Sequence, residues 1–415
     1  MSNDHDPFSV LRIKEFRLFV LARLVITIAL QIEAVIIGWQ IFKITNDTLS
    51  LGLIGLSEAV PSILVALYAG HFADITNRKR IIQVTVFILL LCSLSLAFLA
   101  MDSNAGLLQR TTFPLYLVIF LSGVARGFLY PANFAFMPQL IERKDYPRAI
   151  SWSSAAWQTG AVAGPAISGL IYALCDFRNT YIVVAGLVFI AFILYTLIPS
   201  KPIPPYNPDL SMKEKIKEGL RFVAGNQVIL GAITLDLFAV LFGGAVALLP
   251  AFAKDILFVG AEGLGFLRAA PAIGAIIMAI YLAYKPMQHN AGKKLLWSVA
   301  GFGLCMIAFA LSENFYLSCA LLVLSGIFDS VSVIIRSTLI QTLTPDNMKG
   351  RVSAVNNIFI GSSNEIGAFE SGVAARLMRT VPSVIFGGCM TLLVVSITAG
   401  TAKQLRRLHL TTKEK

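Results

Sequence analysis

Long apolar runs separated by short polar stretches set the pattern of this chain. Twelve of them, roughly 17 to 41, 50 to 71, 81 to 101, 114 to 137, 150 to 174, 180 to 198, 227 to 250, 262 to 284, 293 to 311, 315 to 338, 353 to 376 and 381 to 402, approach or exceed the length a helix needs to cross a hydrocarbon core of ~30 Å, about 20 residues. The pattern predicts an all-α polytopic membrane protein of twelve transmembrane helices. The longest internal polar segment, 199 to 226, separates six runs from six. It opens on Pro199, Pro202, Pro204, Pro205 and Pro208, which prevent a continuous helix. Ser211 and Glu214 then form a capping-box pattern, and Met212, Ile216, Leu220 and Val223 recur on one face, as in a short amphipathic helix on a membrane surface. The expected organisation is a first bundle over 1–198, a linker over 199–226 and a second bundle over 227–415.

The halves repeat weakly. Leu121-Ser122-Gly123 matches Leu324-Ser325-Gly326, Leu140 matches Leu343 and Arg148 matches Arg351, all 203 positions apart. Parallel repeats of this kind build many transporters.

Composition agrees with the pattern: of 415 residues, 56% are hydrophobic and 14% charged, against about 25% charged in soluble domains. The net charge of +11 does not point to nucleic acid, because the bases sit in short connections rather than on one face. An even number of spans puts both termini on one side. With that side cytoplasmic, the inside connections and tails hold 24 of the 34 lysines and arginines and the outside ones 6, Lys43, Arg110, Arg178, Lys254, Arg376 and Arg379. This asymmetry sets the orientation. Met1 to Pro7 is acidic, so the first span is expected to serve as its own insertion signal. The five cysteines have no paired spacing, and the four histidines fall in connections or tails, so neither a disulfide framework nor a metal site is expected.

Charges inside spans are costly, at least ~2.5 to 3.5 kcal/mol each near the bilayer centre, and mark functional candidates. Glu33, Glu58, Arg126, Asp236, Arg268, Asp329, Glu365 and Glu370 are such charges. At the 203 offset Glu33 meets Asp236 and Arg126 meets Asp329, while aligning Pro61 with Pro271 puts Glu58 opposite Arg268. These matches suggest ionisable groups converging on a central cavity. Arg126 is expected to pair with an acid, Glu33 or Asp329, or with an anionic substrate. Arg23 and Arg336 sit nearer helix ends and read as headgroup anchors, Arg336 with the option of a neighbouring acid. Trp157 and Gln158 could add an aromatic and an amide to the cavity. Gly160, Gly164, Pro165 and Gly169 form a small-residue ridge that lets helices approach closely.

The connection Gly70-His71-Phe72-Ala73-Asp74-Ile75-Thr76-Asn77-Arg78-Lys79-Arg80 joins the second and third spans. Its Gly70, Asp74, Arg78 and Lys79 resemble the signature loop of major facilitator superfamily transporters, although Ile75 and Asn77 replace the arginine and glycine usual there. The glycine-proline ridge resembles the fifth-helix motif of that family's antiporters and exporters. Phe128-Leu129-Tyr130-Pro131-Ala132-Asn133 and Ile358 to Gly367 are similar to the branch that includes the enterobactin exporter. The resemblance implies two pseudo-symmetric six-helix bundles and secondary active export, with proton antiport across a bacterial inner membrane. Glu33 is the expected proton-coupling carboxylate, Asp236 its competitor, and Asp74 a conformational latch. A small amphipathic organic molecule, protons and the lipid bilayer are the expected partners of a monomeric chain needing no cofactor and performing no enzymatic reaction. A lysophospholipid flippase, a metal-ion exporter and an uptake carrier remain open on the same fold, as does a non-transporting receptor. No G-x-x-x-x-G-K-S/T motif is present, which argues against a pump driven by ATP.

Overall fold

The computed structural model describes residues 9–101, 105–142, 145–202, 212–243, 245–284, 290–345 and 348–406. Twelve long helices dominate the described residues: α1 Lys14–Thr45, α2 Thr48–Ile75, α3 Arg78–Leu99, α4 Phe113–Phe136, α5 Tyr146–Leu174, α6 Phe177–Leu197, α7 Gln227–Gly243, α8 Gly260–Tyr284, α9 Ala291–Leu311, α10 Phe315–Leu343, α11 Lys349–Met378 and α12 Thr380–Thr401. Among the described residues, ten helices are long and apolar enough to span a membrane. The two that fall short in apolar content, α5 and α11, are 29 and 30 residues long and occupy the fifth place in each set of six. Length suits them to crossing, while their serines, asparagines and charges suit one side to a polar surrounding.

Local chemistry fixes several helix starts. Asn77, Asp176 and Asn314 cap α3, α6 and α10 by accepting from the backbone N–H of Arg80 (3.2 Å), Asn179 (2.8 Å) and Leu317 (3.1 Å). Each satisfies a donor the first turn leaves open. The connection after α2 is shorter than expected, since α2 continues to Ile75 and only Thr76 and Asn77 separate it from α3. The seventh run also departs from expectation. After Gly243 the helix gives way to a 3-10 turn, Ala245–Leu248, and later to a π-helical turn, Phe252–Ile256, in place of one helix from 227 to 250.

Two compact units emerge, one of residues 1–44 and 57–208, the other of 45–56 and 209–415. The first turns of α2 thus belong with the second unit. In the first unit, the buried rings of Phe16, Phe19, Phe136 and Tyr195 form an aromatic core, with Phe19 edge-on to Phe136 at 6.3 Å and to Tyr195 at 6.2 Å. In the second, Leu235, Leu295, Ile335 and Leu339 pack one core cluster. The amphipathic helix Met212–Gly225 sets Val223 among Ile229, Ile233, Ile340, Val352 and Val355, and leaves Lys217, Leu220 and Arg221 exposed. The capping residue Ser211 lies outside the described residues.

The repeat has a physical basis in helix contact. A Cβ on Gly123 of α4 would come within 2.5 Å of the Glu58 carbonyl and 2.9 Å of the Pro61 ring, and a Cβ on Gly326 of α10 would collide with the backbone of Pro271 in α8. Glycine at the same place in each Leu-Ser-Gly match is what allows α4 to touch α2 and α10 to touch α8.

Candidate functional site

In the first unit the close α2/α4 contact brings Glu58 to Arg126. The guanidinium of Arg126 donates from Nη1 to Glu58 Oε1, and its Nη2 lies 3.9 Å from Glu33 Oε1 on α1. The other oxygen of Glu33 accepts a 2.5 Å hydrogen bond from Ser93 Oγ of α3. Four helices therefore meet at two carboxylates and one guanidinium, a cluster with one negative charge in excess when all three groups are ionised. Glu33 is the enclosed member at 6% side-chain exposure, whereas Glu58 is 25% exposed. The ridge on α5 positions the α1 side of this cluster. A Cβ on Gly160 would reach within 2.8 Å of Thr27, and one on Gly164 within 2.5 Å of Gln31 Cβ, so both glycines hold α5 against α1. Pro165 and Gly169 are buried on the same helix, while Trp157 and Gln158 are exposed.

The second unit carries a balanced pair instead. Arg336 of α10 bonds Asp236 of α7, and both are enclosed, at 3% and 8% side-chain exposure. Arg336 is thus no headgroup anchor but takes the option of an acid partner. Arg268 on α8 and Asp329 on α10 lie half-buried on two helices packed together, and Glu365 of α11 sits beside Gly55 of α2, 3.3 Å from the position of its Cβ.

The depth of these charges corrects the repeat register in the first span. Asp236 is the tenth residue of α7, and the tenth residue of α1 is Arg23, not Glu33. The contacts agree, since 203 positions before Arg336 stands the buried Asn133, whose neighbour Tyr195 also faces Arg23. Arg23 is no anchor either, because its Nη1 donates at 2.7 Å to Ser153 Oγ of α5, a hydroxyl that is 2% exposed. A single offset fails here because the stretch between α3 and α4, residues 100–112, is ten residues longer than that between α9 and α10, residues 312–314, so Arg23 and Asp236 lie 213 positions apart while Arg126 and Asp329 lie 203 apart. At the same offset of 213 Glu33 falls opposite Val246, in the 3-10 turn beyond α7, and so has no acid as its match.

The basic residues after α2 tie helix ends together. Arg78 Nη1 donates to the carbonyl of Ala135 at 2.9 Å and Lys79 Nζ to that of Thr196 at 3.0 Å, placing cations on the C-terminal turns of α4 and α6, where the helix dipole favours them. Asn77, where the family pattern has glycine, caps α3 and bonds Ser200. The side chains of Gly70 and Asp74 lie outside the described residues. Among the described residues no group of three His, Cys, Asp or Glu side chains could hold a metal ion.

The sequence profile described as Major Facilitator Superfamily matches residues 19–368. The chain is 26% identical over 396 residues to the protein named enterobactin exporter EntS of Shigella boydii serotype 18, spanning 95% of this chain and 94% of that one, and equally similar to its namesake from Escherichia coli O1:K1. Among solved structures, the D-xylose–proton symporter superposes with a TM-score of 0.73 at 12% identity, covering 97% of this chain and 99% of that one. A bacterial homologue of the human lysosomal transporter Spinster, inward-facing and occupied, gives 0.73 at 14% identity over 95% and 96% of the two chains. At such identities these two establish the fold alone. With the family profile spanning residues 19–368, this multi-pass membrane protein is a transporter belonging to the Major Facilitator Superfamily.

Proposed function

We propose that the chain exports a small amphipathic organic molecule across a bacterial inner membrane, both termini cytoplasmic, by alternating access coupled to proton entry. The carrying observation is the cluster of Glu33, Glu58 and Arg126, in which one guanidinium serves two carboxylates. Arg126 already holds Glu58 closely, which leaves Glu33 as the acid whose charge a proton removes, with Ser93 fixing its orientation. Glu58, the more exposed of the two, is the group a substrate or water meets first. Proton loading takes the cluster from a net negative charge to neutrality, and substrate entry at Glu58 and Arg126 reverses it. Asp236 has its own guanidinium and needs no proton to be neutralised. Arg78 and Lys79 hold helix ends, and Asp74, with Gly70 before it, acts as the latch between transport states. Arg268, Asp329, Glu365, Trp157 and Gln158 supply further polar and aromatic cavity surface.

Relatives named enterobactin exporter make enterobactin the first cargo to try. Labelled enterobactin should accumulate in inside-out vesicles whose lumen is acidic, and a protonophore should abolish the accumulation. Accumulation in right-side-out vesicles alone, or accumulation indifferent to the protonophore, would contradict coupled export.

A further inference from the structure

Arg23 of α1 lies near Tyr195 of the aromatic core of the first unit, ten residues before Glu33 and so ~15 Å along the helix axis at 1.5 Å per residue. Its guanidinium turns into the bundle. It donates to the buried Ser153 hydroxyl at 2.7 Å and has the phenols of Tyr195 and Tyr130 as neighbours. Among the described residues no carboxylate pairs with it. The second unit shows what a complete arrangement at this depth looks like, since Asp236 there has Arg336 against it. In the first unit the place equivalent to Arg336 holds the neutral Asn133. A guanidinium removed from water with only neutral partners is costly, and buried charges are ordinarily paired. The first unit thus keeps a cation that no described carboxylate neutralises, partly accessible and bounded on one side by Tyr130, which is 54% exposed.

We propose that Arg23, Ser153 and Tyr130 form a receptor for an anionic group on the transported molecule, with an organic acid carrying its charge on or beside an aromatic ring as the class that fits. The planar guanidinium can donate two parallel bonds to a carboxylate or similar oxyanion. The Ser153 hydroxyl, which accepts from Arg23, can itself donate to the same anion. Tyr130 and Trp157, the latter one turn beyond Ser153 and 44% exposed, offer ring faces on which an aromatic acid can lie. A neutral analogue would leave the guanidinium as it stands and gain nothing from it. The inference deepens the exporter reading above by giving the cargo a charge, and it assigns that charge to a place distinct from the Glu33 cluster.

The test is equilibrium binding to the full-length chain in nanodiscs of zwitterionic lipid, using radiolabelled 1-naphthoate and its neutral counterpart 1-naphthamide. The acid should bind about ten-fold or more tightly than the amide. Arg23→Gln should bring that ratio close to one. Arg23→Lys, which keeps charge but loses the two-pronged geometry, should retain part of it, and Ser153→Ala should weaken the acid several-fold without moving the amide. A ratio near one in the parent, or an undiminished ratio in Arg23→Gln, overturns the proposal. Should Arg23→Gln fail to fold, the lysine and serine variants decide it by the same ratio. Loss of naphthoate binding when phosphatidylglycerol is added to the nanodiscs would assign Arg23 to a lipid phosphate and likewise overturn it. Binding needs no gradient, so this result and that of the vesicle experiment can fail separately.

Discussion

In the first unit Arg126 faces two carboxylates, Glu58 and Glu33, whereas in the second Arg336 faces one, Asp236. Both sets join the first and fourth helix of their six, yet at depths two turns apart along α4 and α10, because Arg126 corresponds to Asp329 and Arg336 to Asn133. A balanced buried pair suits a structural role, since neither partner gains by titrating. An unbalanced cluster has a charge left to trade, which is what coupling to protons requires. Under the proposed function, stability falls to the second unit and ion chemistry to the first.

The largest effect should come from breaking the balanced pair. Arg336→Ala leaves Asp236 enclosed and uncompensated, and such losses cost about 3 to 5 kcal/mol. Thermal unfolding in detergent should show a large fall. Replacing both residues by leucine should recover most of it, because removing the two charges together removes the desolvation cost as well. A double variant no more stable than Arg336→Ala would show that the pair does not set the stability of its unit.

Smaller and more informative is the pair of changes at the helix contacts. Gly123→Ala and Gly326→Ala each force apart two helices, at a cost of about 1 to 3 kcal/mol typical of overpacking. Both should lower the melting temperature. Only Gly123→Ala should also impair transport per folded molecule, since its new methyl displaces the Glu58 turn that holds Arg126. Equal transport defects in the two would erase the functional contrast between the units.

How much of this was readable beforehand varied with the reach of the signal. The spans were legible because length and apolarity are local properties, and predicted ends such as 315 for α10 or 227 for α7 agree with the structure. The 3-10 turn Ala245–Leu248 left no mark, as a glycine in an apolar run is common in membrane helices. Arg126 was legible as a residue in need of an acid, but Glu58 as its direct partner depends on the α2/α4 approach at Gly123, a tertiary fact. Arg23 and Arg336 were misread because an arginine near a helix end satisfies the anchor pattern whichever way its side chain turns. The matching of Glu33 to Asp236 failed because one offset was carried across connections of unequal length.

The smallest effect on stability is expected at Asp74. Asp74→Asn should leave expression and binding near normal and slow transport, measured as turnover in proteoliposomes. Unchanged turnover would remove the latch.

The most direct test of the unbalanced cluster compares Glu33→Gln with Asp236→Asn in vesicles carrying an imposed pH gradient. Glu33→Gln keeps the shape of the side chain and cannot titrate, so it should bind and exchange cargo downhill while failing to accumulate it against a gradient. Asp236→Asn should lose stability yet still accumulate cargo per folded molecule. Uphill transport by Glu33→Gln at the parent rate, with Asp236→Asn unable to perform it, would place coupling on α7 and contradict the account.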